Sequence, residues 1–374
     1  MRAAKAGNLQ TYEPGRLEKL LLYIEREDPQ RKIAPWNGFY LDYGYTDKPL
    51  GSGIGFSGGY RHDLFERRAR VVFETGATWR RYSLVRADFS LPSLARDHLE
   101  LGVEATDRHN PEEDFYGLGS TSLQGNRVSF LFDRREVQGR AVVKLIDGLR
   151  IGGRMAWLGT DVGGGSDSRY PSIEQVFTDA DAPGLDEQPN YSYGDLFAEF
   201  DRRDEPGNAR AGGYYGVLWR RYRDLDLGRY NFGTIEADLQ HFFPIFDKKR
   251  VFAVRGRVFS TDADDGQVVP FYFRPTLGGN DTLRSVRDFR FRDTNVLAIN
   301  AEYRWEAFSG LDMALFADLG KVAPRFADLD STDLERAYGI GLRFNTYKAV
   351  LLRLDVSLVG GESPRYFIKF DKAF

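Results

Sequence analysis

From Trp36 onward, apolar and polar residues alternate along the chain with a period of two. In segment 231–243, Ile235, Ala237 and Leu239 interleave with Glu236, Asp238 and Gln240. In 296–305, Leu297, Ile299, Tyr303 and Trp305 interleave with Asn300, Glu302 and Arg304. Segment 350–358 sets Leu352, Leu354, Val356 and Leu358 against Arg353, Asp355 and Ser357, and 98–106 sets Leu99, Leu101 and Val103 against Glu100 and Glu104. Successive side chains of a strand point to opposite faces, so each segment reads as a strand with one apolar and one wet face. A single strand of this kind also suits a soluble sandwich, and it is the number that discriminates. The pattern predicts strands at 36–45, 52–63, 69–79, 82–91, 98–107, 126–145, 149–159, 192–201, 211–222, 231–243, 250–260, 295–305, 311–320, 337–346, 348–359 and 364–374. Sixteen is an even count, as single-chain bacterial outer-membrane barrels require.

Residues 1–35 break the pattern. Pro14 precedes Leu17, Leu20, Leu21 and Ile24 at helical spacing, which predicts one short helix over 14–27 in a periplasmic N-terminal segment, acting as a cap or plug ahead of a barrel at 36–374. Connection lengths then sort by side. Ile146-Asp147-Gly148 and Pro244–Lys249 are short, while 108–125, 160–191 and 261–294 are long and fall on the opposite side, the asymmetry of outer-membrane barrels. The final strand carries Tyr366, Ile368, Phe370 and Phe374 on one face. Lys372 interrupts that face with an amine able to snorkel to water.

Composition sharpens this picture. Phe 28 and Tyr 20 make the chain rich in aromatics, yet its mean hydropathy of -0.46 is that of a polar protein. A barrel reconciles the two, because only alternate residues face lipid; the aromatics are expected in interfacial girdles. No run of eighteen apolar residues occurs, so a membrane-spanning helix is excluded. Charge is balanced, with 52 basic and 55 acidic residues, giving no reason to expect nucleic acid. Cysteine is absent, which excludes disulfides and thiolate metal sites. The first residues, MRAAKAGNLQ, hold no apolar signal region.

Motifs for chemistry are sparse. His62, His98, His109 and His241 share no metal-ligand spacing and read as rim or loop residues. Neither a G-x-S-x-G elbow nor an H-E-x-x-H or Walker sequence is present. Gly163 to Gly165 reads as a flexible loop. Asp262-Ala263-Asp264-Asp265-Gly266 and Asp179-Ala180-Asp181 lack the terminal glutamate of a calcium loop and read as solvated acidic loops. No catalytic residue, metal or cofactor is expected.

The C-terminal third resembles the bacterial surface antigen superfamily of outer-membrane barrel-assembly proteins and two-partner-secretion transporters. Leu277-Gly278-Gly279-Asn280-Asp281-Thr282-Leu283-Arg284-Ser285-Val286, followed by Arg290-Phe291-Arg292-Asp293, is similar to that family's long sixth loop. Ala301-Glu302-Tyr303-Arg304 resembles the strand after it, and Phe316-Ala317-Asp318-Leu319-Gly320 resembles the F-x-D-x-G strand motif. Phe115-Tyr116-Gly117-Leu118-Gly119 resembles a weaker motif of these barrels. The resemblance implies that the sixth loop folds into the lumen and that its arginine meets the strand aspartate. The strand alternation independently puts Asp318 and Glu302 on the lumen face, with Phe316 beside Asp318. Arg284 is assigned the locking role, with Arg287 as the alternative and with Phe316 and Gly320 completing the site. Ser285 and Val286 replace the family's glycine and aromatic, so a looser loop tip is expected. Residues 1–35 cannot hold the family's periplasmic transport repeats, which suggests a variant without them. The expected function is a non-enzymatic insertion or translocation factor in the outer membrane of a Gram-negative-type bacterium. Its lateral seam would lie at Gly38, Phe370 and Phe374, and its partners would be outer-membrane lipid and lipopolysaccharide, with client or partner outer-membrane proteins. A passive channel, or a structural barrel scaffolding a partner complex, is the alternative.

Overall fold

The polar residues of the alternating segments turn inward and the apolar ones outward, the reverse of a water-soluble protein. Glu104, Gln240, Asn300, Glu302 and Asp355 are buried, while their strand neighbours Val103, Ile235 and Leu239 are about half exposed at 54%, 50% and 47%. These are the side chains that the alternation places against lipid. The computed structural model describes residues 37–42, 55–346 and 348–369, together with Lys19 and Tyr23. The helix expected over 14–27, and Phe370, Lys372 and Phe374, lie outside the described residues. No helix among the described residues is long and apolar enough to cross a membrane.

The elements are β1 (Gly38–Asp42), β2 (Gly55–Leu64), β3 (Ala69–Thr78), β4 (Ser83–Leu94), β5 (Leu99–His109), β6 (Glu113–Phe115), β7 (Val128–Ile146), β8 (Leu149–Gly164), β9 (Tyr191–Asp201), β10 (Gly212–Asp224), β11 (Phe232–Ile245), β12 (Arg250–Ala263), β13 (Thr276–Leu277), β14 (Phe291–Arg292), β15 (Asn295–Phe308), β16 (Leu311–Ala323), β17 (Glu335–Asn345), β18 (Val350–Val359) and β19 (Arg365–Lys369). Among the described residues they form one large antiparallel sheet of 17 strands and a two-stranded ribbon, β13–β14, inside the loop after β12. Neighbours in the chain are neighbours in the sheet. The count differs from sixteen by β6, whose three residues pair with the outer end of β7 and are too few to show a periodicity. Among the described residues no register joins β19 to β1, so the described ladder is open at the junction where the sequence reading closed it.

The sheet curls around the loop between β12 and β15. Arg290 of that loop donates to Ser122, ahead of β7, and also faces Glu362, between β18 and β19, at 3.5 Å. Phe271, Tyr272 and Phe273 of the same loop enter two aromatic clusters. One contains Phe115, Phe130 and Phe132, the other Tyr191, Tyr222 and Phe232. The expectation that the aromatic excess belongs to girdles is therefore corrected in part. Trp79, Trp157 and Trp219 are exposed on the outside, but a second aromatic set closes the long-loop end of the interior, where ring packing replaces water. Gly163 and Gly164, expected in a flexible loop, form the outer end of β8.

Candidate functional site

Alternation brings Asn300, Glu302 and Arg304 of β15 to the interior, and the register sets Asn300 opposite Asp318 and Glu302 opposite Phe316 of β16. On the next strands the same parity turns Arg343, Arg353 and Asp355 inward, with Arg343 opposite Arg353. The loop delivers Arg284 into this ring of charges, where it is 1% exposed. Its guanidinium grips Asp318 in a fork, Nη2 to Oδ1 at 2.6 Å and Nε to Oδ2 at 2.7 Å, and its backbone N–H donates to the same carboxylate at 3.2 Å. Nη1 donates to Glu302 at 2.6 Å and to Asp355 at 3.3 Å. The Phe316 ring lies under the guanidinium, 3.5 Å from its carbon, so one face of the cation is covered by a π system while its edge is hydrogen-bonded.

The network extends beyond the residues that sequence reasoning named. Arg343 bridges Glu302 at 2.9 Å and Asp355 at 2.6 Å, Arg353 meets Asp355 at 2.6 Å, and Arg304 meets Glu302 at 3.0 Å. Four arginines thus share three carboxylates, and each carboxylate serves at least two hydrogen bonds. Such sharing is what makes a desolvated charge cluster tolerable. Arg343, Arg353 and Asp355 were missed as site residues. The signal that would have found them is the charge on the inward parity of β17 and β18, read at the level of Glu302.

Small residues make room. A Cβ at Gly339 would sit 2.4 Å from Phe316, and one at Gly341 would sit 2.2 Å from Asp355. At Gly320 a Cβ would lie 2.6 Å from Leu277 of the loop, which is buried with Leu283, Val286, Phe291 and Phe316 in one apolar cluster. The loop tip is packed, contrary to the looseness expected from Ser285 and Val286. Both are buried, and the space their extra atoms need is supplied by Gly360 and Gly361 opposite, where an added Cβ would lie 3.0 Å from Ser285 and 2.5 Å from Val286. Arg287 lies apart from the network, pairing with Glu362 at 3.3 Å with its side chain 36% exposed. Of the seam residues only Gly38 is described; it has a φ of 116° and pairs with Arg61 of β2.

A second element enters the interior from the short-turn end. Segment 202–211, between β9 and β10, passes across to the turn between β17 and β18. There Asn208 donates to the Thr346 carbonyl at 2.8 Å and Gly207 accepts from Val350 at 3.0 Å. Arg210 pairs with Asp312 at 2.6 Å, and Ala209 is buried on Phe242 and Val251. Among the described residues no cluster of three or more His, Cys, Asp or Glu suits a metal ion. Asp179 instead accepts the backbone N–H groups of Gly184, Leu185 and Asp186, which explains it as a turn-former.

A sheet with lipid-type residues outside, buried charge inside and a loop arginine locked to strand carboxylates defines an outer-membrane β-barrel-type protein. Residues 194–362 match the Omp85 superfamily domain. Among solved structures, it is similar to BamA from Haemophilus ducreyi lacking POTRA domains 1-3, with a TM-score of 0.65 and 12% identity over 89% of this chain and 69% of that one. It is also similar to CdiB from Acinetobacter baumannii, at TM-score 0.50 and 14% identity over 90% of this chain and 57% of that one. CdiB from Escherichia coli gives 0.54 and 11% over 89% and 61%. Likeness at such identities concerns the fold, and this chain spans under two thirds of either CdiB. No curated protein matches the sequence.

Proposed function

We propose that the chain is a non-enzymatic insertion or translocation factor whose sheet closes in the outer membrane as a sixteen-stranded barrel, with β6 as an appendage. In this reading residues 1–35 lie in the periplasm and 36–374 form the barrel. The terminal strands meet at a seam that opens to admit client strands or lipid. The observation that carries the proposal is the wall next to the terminal strands, where β15 and β16 are joined by thirteen residue pairs and pinned by the Arg284 network, which reaches Arg343 of β17 and Asp355 of β18. A terminal strand edge beside a rigid wall can template an incoming strand. The match of residues 194–362 to the Omp85 superfamily domain and the BamA and CdiB likenesses support the same class of activity.

The test compares purified protein in planar bilayers with the same protein in a barrel-insertion assay using a denatured outer-membrane client. Acceleration of client folding, lost when β1 and β19 are cross-linked through cysteines at Gly38 and Lys369, is the expected result. Steady ion conductance with no acceleration would instead establish the passive-channel alternative. The arginine lock is proposed to hold the wall beside the seam in one shape, so that opening is confined to the terminal strands.

A further inference from the structure

We propose that the interior contains an anion site, separate from the Arg284 network, that takes a phosphoryl group. A cavity of about 540 Å³ lies between the wall strands and the inner face of the loop, and five arginines line it against three carboxylates. Among the arginines are Arg108 of β5, Arg134 of β7, and Arg274 and Arg292 of the loop.

Two of these arginines are short of partners. Arg292 is 3% exposed. Its Nη1 donates to the Phe271 carbonyl at 2.8 Å, but among the described residues its Nε has no hydrogen-bond partner. Arg134 likewise has a buried Nε without an acceptor among the described residues. Among the described residues neither has a carboxylate within 4.0 Å, whereas every arginine of the lock has one at 3.0 Å or less. Two of the three acids are engaged elsewhere: Glu113 accepts from Asn110 at 2.6 Å, and Asp281 pairs with Lys369 at 2.8 Å. Burial pushes the Arg292 guanidinium down to about 10; Glu113 opposes that shift and Arg274 adds to it. It stays charged at neutral pH, and a charge so placed calls for a counter-ion.

The surroundings favour a ligand over water alone. Phe115, Phe130 and Phe271 ring the Arg292 guanidinium at 5.8–5.9 Å. Their apolar bulk keeps the local dielectric low and strengthens a charge-assisted bond made there. A carboxylate is matched by one arginine fork. Unfilled donors on two separate guanidiniums, with three more arginines in the same chamber and an excess of two positive charges, suit an ion of charge near −2 with three acceptor oxygens.

Inorganic phosphate is the first probe, titrated calorimetrically into the folded protein in detergent and compared with chloride at equal ionic strength. Binding of one phosphate per chain is expected. Arg292→Gln should weaken it roughly tenfold to hundredfold, the equivalent of losing one or two charge-assisted hydrogen bonds. Arg134→Gln on the opposite wall gives the same reading should the loop variant fail to fold, and Arg287→Gln, outside the cavity, should leave binding unchanged. A second arm uses lipopolysaccharide and its dephosphorylated form. Binding of the phosphorylated form alone, sensitive to Arg292→Gln, identifies a membrane headgroup as the source. Phosphate and lipopolysaccharide that bind no better than chloride, or binding indifferent to both arginine variants, would overturn the proposal.

Discussion

At the residue scale, Arg284 is the member whose loss leaves most behind. Its removal strips Asp318 of three hydrogen bonds and takes one each from Glu302 and Asp355, all in a place water does not reach. Breaking a buried pair from one side costs about 3–5 kcal/mol, so Arg284→Ala is expected to lower the unfolding midpoint in detergent. Arg287→Ala, on a half-exposed pair, should shift it by no more than the ~1 kcal/mol of a surface pair. Equal shifts would mean that the loop is held by its apolar contacts and not by the lock. Arg284→Lys should restore only part of the loss, because a point charge cannot make the fork. Asp167, in the loop after β8, provides a pH-dependent contact. Hydrogen bonding from Arg169 holds its carboxyl down at about 2, against the opposing effect of burial and with help from Arg80. A depressed carboxyl contributes stability that is complete above the ordinary value of 3.8 and is lost as pH falls through about 2. Hydrogen exchange across residues 165–172 should therefore stay slow down to about pH 4 and accelerate below it, and Asp167→Asn should remove that step.

At the element scale, strands were readable because each is long enough to repeat its parity. The lipid-facing set in β11, β15 and β18 is the one the alternation named. What escaped was short or non-repeating: β6 with three residues, the β13–β14 ribbon with two residues on each side, and strap 202–211, which carries no alternation. The short turns carry a cost of their own. Phe65-Glu66-Arg67, Ala95-Arg96-Asp97 and Phe246-Asp247-Lys248 each place three successive non-glycine residues at φ between 50° and 72°. The left-handed region is unfavourable for such residues by roughly 1–2 kcal/mol each, and glycine enters it freely. Asp97→Gly, at an exposed position with φ 68°, should stabilise the folded protein by up to about 1 kcal/mol, after the added flexibility of the unfolded chain is set against the relief. Urea unfolding from detergent reads this out. A destabilised variant would show that Asp97 holds its turn through its side chain.

At the scale of the whole molecule, the interior is occupied from both ends. Aromatic clusters around Phe271–Phe273 fill the long-loop end, the Arg284 network fills the middle, and the strap closes over the short-turn end. A chain so filled should show rare, brief openings in planar bilayers. Gly207→Val combined with Asn208→Ala removes the strap's footing, since a Cβ at Gly207 would sit 2.4 Å from the Lys348 carbonyl and Asn208 supplies the bond to Thr346. The double variant should raise the open fraction. If conductance is unchanged, the loop by itself accounts for closure.

The sequence by itself determined the quantities that repeat locally: which residues face lipid, which face the interior, where strands run, and that a charged loop motif and a charged strand motif exist to be matched. Those follow from strand parity and from the two solvents on either side of the sheet. Tertiary structure alone decided which charges meet. Arg284 and Asp318 are joined across the interior by the curl of the sheet, Arg343, Arg353 and Asp355 enter through register, and Ser285 is accommodated by Gly360, 75 positions away. Distances of that kind are set by how the whole sheet closes on its loop, and no local periodicity encodes them.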